Sequence, residues 1–149
     1  RDFEVMVNTH PSEPMTVDGA TGAVGVPVVE LDLVNETGRS FYGPSPYDLV
    51  AAIPRSAVLA SMTENLRVET ADSSEHYSVL NASRSLAYMF TGKHISKLEG
   101  GRWVLARGSA PKVVEDAVQT QMGLAPERAL TRAGGRYVSE IMRQLESEI

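Results

Sequence analysis

Two different periods of apolar residues divide the chain near residue 43. Residues 2–8 alternate, with Phe3, Val5 and Val7 on one face, and this period predicts a half-buried strand. Beyond residue 43 the apolar positions recur three and four residues apart, which predicts helices. We therefore expect a strand-containing piece at 1–43 and an all-α domain at 44–149, with antiparallel helices and short connections forming a bundle.

The segment between the first strand and residue 43 is less regular. Residues 9–25 are rich in Pro and Gly and are interpreted as a loop. Residues 26–37 fit two structures. Val29, Leu31 and Leu33 alternate as in a strand, yet the same stretch fits one side of a helix that ends at Gly38.

Six helices are predicted beyond that point. Ser45 is placed to cap the first, with Pro46 at its first position, before Pro54. The others are expected at about 55–66, 75–91, 97–107, 111–122 and from Pro126 to the end. Their buried stripes are predicted to comprise Val58, Leu59, Met62 and Leu66; Val79, Ala82, Ser83, Leu86 and Phe90; and Leu130, Tyr137, Ile141 and Leu145.

Local signals set several helix ends. Gly92 follows the apolar stripe of the 75–91 helix and is expected to stop it. The run from Ser96 to Glu99 has the pattern of a capping box, in which each side chain bonds the other residue's amide. Gly134 and Gly135 fall inside the last predicted helix, so we expect a kink or a close helix contact there.

Composition and charge narrow the function classes. The chain has no Cys, which excludes disulfides, thiolate metal sites and Cys nucleophiles. Its net charge of −5 disfavours nucleic acid as a partner and is compatible with a cationic small molecule. No apolar run is long enough to span a bilayer and no signal peptide is visible, so a cytoplasmic protein without a membrane partner is expected. The three His residues are scattered, and no metal site is predicted.

Five short segments carry a resemblance to a known family. They are Tyr77 to Tyr88, Thr91 to Lys93, Ser96-Lys97, Gly101 to Leu105 and the turn Gly43 to Ser45. In their order along the chain they resemble the helical domain of the aminoglycoside (3'')(9) adenylyltransferases. Residues 1–7 resemble the third catalytic strand of that family. The resemblance implies a mainly α fold: a C-terminal helical bundle preceded by a strand-containing remnant of an α/β nucleotidyltransferase domain.

The resemblance also implies a chemistry and a catalytic residue. The family transfers an adenylyl group from ATP, with magnesium, to a sugar hydroxyl. Glu4 matches the family's catalytic base, which must lie within hydrogen-bonding distance of the attacking hydroxyl. The local sequence alone would instead favour a solvent-facing Glu on an edge strand.

Two cations match family residues that reach the ATP phosphates. Arg84 offers a planar fork and Lys97 a point charge, both suited to a polyanion. Lys97 is also expected in the first turn of its helix, where the helix amides favour anions. The alternatives are a surface Arg lying along apolar neighbours and a solvated Lys.

Recognition of the acceptor is expected before the 75–91 helix. Asp72 and Glu75 are the carboxylates available there to bind the ammonium groups of an aminoglycoside-like substrate. Their alternative role is helix capping and stabilisation of the helix dipole. The family's streptomycin-binding Trp and Asp have no counterpart near Asn65 and Thr70, so streptomycin itself is not indicated.

The metal-binding motif of the superfamily, Gly-Ser followed by Asp-x-Asp, is not found in this chain. The resemblance places it before Arg1, and the strand pattern at the first residue, without an initial Met, predicts an upstream start. The chain alone is therefore expected to be inactive. A non-catalytic helical ligand-binding or protein-interaction module is the alternative function, and a nucleotidyltransferase that acts on protein or RNA is a third. The sequence leaves the oligomeric state open.

Overall fold

The computed structural model describes residues 4–8, 16–20, 28–69 and 73–149, the two five-residue segments by their backbone alone. It is mainly α-helical, as the sequence predicts. Within the described residues, no helix is both long enough and apolar enough to cross a membrane. In chain order the elements are β1 (Glu4–Asn8), β2 (Thr16–Ala20), α1 (Val28–Thr37), α2 (Pro46–Leu49), α3 (Arg55–Glu69), α4 (Glu75–Thr91), α5 (Lys97–Leu105), α6 (Lys112–Gln121) and α7 (Arg132–Glu146).

The two strands form an antiparallel hairpin, with Glu4 opposite Ala20 and Asn8 opposite Thr16. The first strand was predicted, but the prediction of a loop throughout 9–25 is wrong at 16–20. Asp18 and Gly19 are typical turn residues, so local composition argues against a strand there. Pairing with β1 is an interaction between distant residues, which a local pattern cannot show.

The helical alternative for residues 26–37 is confirmed by α1. Val29 is its buried residue, and the helix packs on α3. The amide of Gly38 donates to the Val34 carbonyl at 2.8 Å, which continues the helical hydrogen bonding by one residue. Alternating residues in a short segment fit either structure, and packing on α3 selects the helix.

Helix α4 is the centre of the fold, and it packs against α3, α5, α6 and α7. Ten of its 17 residues are buried, and five of these ten are polar or charged: Glu75, Ser78, Asn81, Ser83 and Ser85. The predicted core residues of α3 and most of the predicted stripe of α4 are buried. Phe90 is an error in that stripe: it is 59% exposed and stacks on Trp103, with 5.9 Å between ring centroids.

Predicted caps fix both sides of the α4–α5 connection. Gly92 ends α4 in the left-handed conformation, with φ of 66°, a value that favours glycine. The capping box at the start of α5 is confirmed: the Glu99 amide donates to Ser96 Oγ at 3.2 Å, and the Ser96 amide donates to Glu99 Oε2 at 2.9 Å. These contacts therefore fix both the end of α4 and the start of α5.

The last helix begins later than predicted, at Arg132 rather than near Pro126. Thr131 is its N-cap, and its hydroxyl accepts from the Gly134 amide at 3.2 Å. The preceding residues pair instead with the start of α4, where the Glu75 amide donates to the Arg128 carbonyl at 2.9 Å. The close contact predicted for the Gly pair is present at Gly134, where an added Cβ would lie 2.8 Å from Glu75 Oε1.

Candidate functional site

Four residues form what we call the cation stripe: Tyr77, Asn81 and Arg84 of α4, and Lys97 of α5. Positions 77, 81 and 84 are four and three residues apart, so they share one face of the helix. Arg84 Nε donates to Asn81 Oδ1 at 2.6 Å. Lys97 Nζ lies 3.3 Å from the centroid of the Tyr77 ring. The structure thus brings both predicted phosphate-binding side chains to the same face of α4.

A close approach of the two helices produces this arrangement. A Cβ on Gly100 would lie 2.6 Å from both the Cα and the backbone nitrogen of Arg84, so only glycine fits between them. Because Gly100 is in the first turns of α5, the N-terminus of that helix is held directly beside Arg84. Lys97, the first residue of α5, is thereby carried towards the same face.

A cleft of about 320 Å³ lies beside Arg84, between α1, α3, α4 and the start of α5. This volume is at the lower end of the range for small-molecule sites. Its walls are apolar at Val29, Leu33, Met62 and Ile95, and polar at Glu30, Arg84, Tyr88, His94, Ser96 and Glu99. The capping contact with Ser96 lowers the pKa of the Glu99 carboxyl, so this group is anionic at neutral pH.

The end of α4 nearest the cleft carries a polar group that we call the C-terminal cluster: Asp32, Tyr88 and His94. Tyr88 Oη donates to Asp32 Oδ2 at 3.0 Å, and His94 Nε2 lies 2.7 Å from the same oxygen. The Tyr88 and His94 rings also contact each other, with 4.7 Å between centroids. The His94 amide donates to Glu36 at 3.1 Å. The cluster therefore joins α1 to the α4–α5 connection.

Burial and the Asp32 carboxylate raise the pKa of the Tyr88 phenol to about 12. Burial disfavours the phenolate, and the hydrogen bond to Asp32 holds the proton on the phenol. Tyr88 is therefore a hydrogen-bond donor at neutral pH and is unsuited to act as a base.

The opposite end of α4 carries the N-terminal cluster: Glu75, Arg128 and Thr131. The Glu75 side chain is 3% exposed, and one of its oxygens forms an ion pair with Arg128. The other oxygen accepts from both the hydroxyl and the amide of Thr131, the amide at 3.2 Å. Glu75 thus ties the start of α4 to the N-cap of α7.

The remaining predicted site residues are placed only in part. Glu4 is on β1, but its side chain lies outside the described part of the structure, as does the whole of Asp72. Both oxygens of Glu75 have partners, so a contact with substrate would have to compete with Arg128 or Thr131. The catalytic and substrate-binding roles of these three residues stay predictions.

Sequence reasoning missed four residues of the candidate site: two that contact the cations and two that form the C-terminal cluster with Tyr88. Asn81 and Tyr77 touch the cations directly, and their spacing from Arg84 on a helix was a usable signal. Asp32 and His94 gave no such signal, because they are 62 positions apart and meet only in the folded chain.

The described residues contain no group of three or more His, Asp or Glu side chains that could hold a metal ion. Arg84 and Lys97 are cations of two types that bind phosphate, one a planar fork and the other a point charge.

Comparison with known proteins gave one family. The family model described as "Aminoglycoside adenylyltransferase, C-terminal domain" matches residues 48–145, well over half of the chain. The matched span runs from α2 into α7 and includes Arg84 and Lys97. No curated protein matched the sequence.

Proposed function

Because the chain belongs to the aminoglycoside adenylyltransferase family through its C-terminal domain, we propose that it serves the transfer of an adenylyl group from ATP to a hydroxyl of an aminoglycoside-like molecule. In this reaction the hydroxyl oxygen attacks the α-phosphorus, the bond to the β-phosphate breaks, and pyrophosphate leaves. The proton of the hydroxyl passes to a carboxylate, a role proposed for Glu4.

The helical domain is proposed to bind the triphosphate. The observation that carries this proposal is that Arg84 and Lys97 both lie on one face of α4, where Arg84 contacts Asn81 and Lys97 contacts Tyr77. Two cations held at fixed positions can bind neighbouring phosphates of one nucleotide and stabilise the charge that moves onto pyrophosphate.

The acceptor is proposed to be a cationic, hydroxylated small molecule. The family and the net charge of −5 support this class. Asp72 and Glu75 are proposed to bind its ammonium groups. Magnesium is proposed to bind outside the described residues, because these contain no cluster of side chains that could hold a metal ion.

Calorimetric titration with ATP, with and without Mg²⁺, tests the proposal on the protein encoded by the whole gene. Arg84→Ala and Lys97→Ala should each weaken ATP binding by about 1.5 to 3 kcal/mol, the range for hydrogen bonds to charged groups. Arg102→Ala and Lys112→Ala are matched controls, since they remove the same charges from exposed positions of α5 and α6.

The controls should bind ATP as the wild type does, and thermal melts should show all four variants folded. Absence of ATP binding by the wild type would overturn the proposal and favour a non-catalytic binding module with the same fold. Equal losses in the controls would show that only overall charge matters, which also contradicts a defined phosphate site.

A further inference from the structure

We propose that Asn81 and Tyr77 are positioning residues that hold Arg84 and Lys97 in the geometry needed for the ATP phosphates. This inference rests on the proposed phosphate-binding role of the two cations. It assigns roles to two further side chains, neither of which is proposed to touch the nucleotide.

Asn81 is suited to this task because it is only 2% exposed. Its side chain is fixed by the surrounding helices, and the oxygen that accepts from Arg84 Nε is therefore a fixed point. This bond uses Nε and not the two terminal nitrogens of the guanidinium, which can bind phosphate in pairs of hydrogen bonds.

Tyr77 restrains the flexible side chain of Lys97. A lysine side chain has a large rotamer entropy, and fixing it before the ligand arrives reduces the cost of binding. The ring of Tyr77 attracts the ammonium group of Lys97, which lies 3.3 Å from the ring centroid.

The close contact at Gly100 links the Asn81–Arg84 pair to the Tyr77–Lys97 pair. It fixes α5 against the backbone of Arg84, so that Lys97 meets Tyr77 two helical turns from Arg84. Asn81 and Tyr77 are both on α4, so the geometry of this helix sets the distance between the two cations that they contact.

Double-mutant cycles on ATP affinity test this inference. Tyr77→Leu should weaken ATP binding about twofold to thirtyfold, since a cation–π contact of this kind contributes roughly 0.5 to 2 kcal/mol. Tyr77→Phe keeps the ring and should bind ATP as the wild type does. In a Lys97→Ala background, Tyr77→Leu should have no further effect. Tyr47→Leu, at an exposed tyrosine of α2, is the matched control.

The second cycle pairs Asn81→Leu with Arg84→Ala. Leu has the branched shape of Asn and lacks the acceptor, so we expect a loss of about tenfold that disappears in the Arg84→Ala background. Effects that persist in the alanine backgrounds would overturn the inference, as would a Tyr77→Phe variant as weak as Tyr77→Leu. If Asn81→Leu does not fold, the Tyr77 cycle decides alone.

The same data separate this inference from the proposed function. A wild type that does not bind ATP refutes both. A wild type that binds ATP and loses affinity in Arg84→Ala and Lys97→Ala, with unchanged affinity in the Tyr77 and Asn81 variants, refutes only the positioning role.

Discussion

The two ends of α4 are tied to the rest of the domain by carboxylates that differ in burial and in partners. At the N-terminal cluster, Glu75 is almost fully buried and faces Arg128, which is charged at all ordinary pH values. At the C-terminal cluster, Asp32 is 20% exposed and faces the His94 ring and the Tyr88 phenol. The first tie therefore rests on an ion pair with a permanent cation, whereas the second includes a phenol that ionises at its raised pKa of about 12.

The difference matters because the ties lie on either side of the cation stripe. The N-terminal cluster fixes α4 against α7 within the core of the bundle. The C-terminal cluster fixes α1 and the start of α5 beside the cleft. We therefore expect the cluster at the end away from the cleft to contribute more to the free energy of unfolding. Three predictions test this difference.

The largest effect is expected at Glu75. Glu75→Ala removes an ion pair and two hydrogen bonds from a buried site, and we expect a loss of unfolding free energy of about 3 kcal/mol. This value is at the low end for buried pairs because Arg128 is half-exposed and can be solvated. Urea denaturation measures the loss, and Glu127→Ala at an exposed neighbouring position should change stability little.

A loss below that of Asp32→Ala would contradict the comparison. A second experiment measures the binding of a cationic aminoglycoside to the Glu75→Gln variant by titration. Weaker acceptor binding at unchanged stability would support the predicted substrate-binding role of Glu75, while lost stability alone would support its role in the fold.

A smaller effect is expected at Asp32. Asp32→Ala removes the shared acceptor of Tyr88 and His94, and the expected loss is about 1.5 kcal/mol. Asp48→Ala, on the short exposed helix α2, is the control and should be nearly neutral. Hydrogen exchange of α1 and of the α4–α5 connection should increase in Asp32→Ala, whereas exchange confined to α7 would argue against this cluster as the tie.

The smallest effect is expected at Tyr88. Tyr88→Phe deletes one hydrogen bond and should lower the unfolding free energy by about 1 kcal/mol at neutral pH. In the folded wild type the raised pKa of about 12 favours the neutral phenol. This contribution is complete below about pH 10 and is lost as the pH rises from about 10 towards 12.

Ultraviolet titration of tyrosinate should show a phase near pH 12 that shrinks in Tyr88→Phe, while the contribution of Tyr137, whose pKa is also raised by burial, remains. Tyr47→Phe should leave that phase in place. A titration in which Tyr88 ionises together with the exposed tyrosines would contradict its bond to Asp32.

Local signals explain which elements could be predicted. The α3 core stripe, the left-handed Gly92 and the capping box at Ser96 depend on residues within one or two helical turns, so the sequence sufficed for them. The strand at 16–20 and the late start of α7 depend on pairing between distant segments. In both places local composition favoured another structure.

The candidate site divides in the same way. Arg84 and Lys97 were found by resemblance to a family and by their charge. Asn81 and Tyr77 could have been found from helical spacing, but their partners could not. Asp32 and His94 acquire a shared role only when α1 packs beside the end of α4.

By itself the sequence determined the family, the mainly helical fold and the two cations proposed to bind phosphate, because periodicity, caps and motif order are local properties of the chain. Only the tertiary structure decided that both cations meet one face of α4 and that a carboxylate ties each end of this helix. The physical reason is the packing of α5 at Gly100 and of α7 at Gly134, where the absence of a side chain lets segments distant in sequence approach.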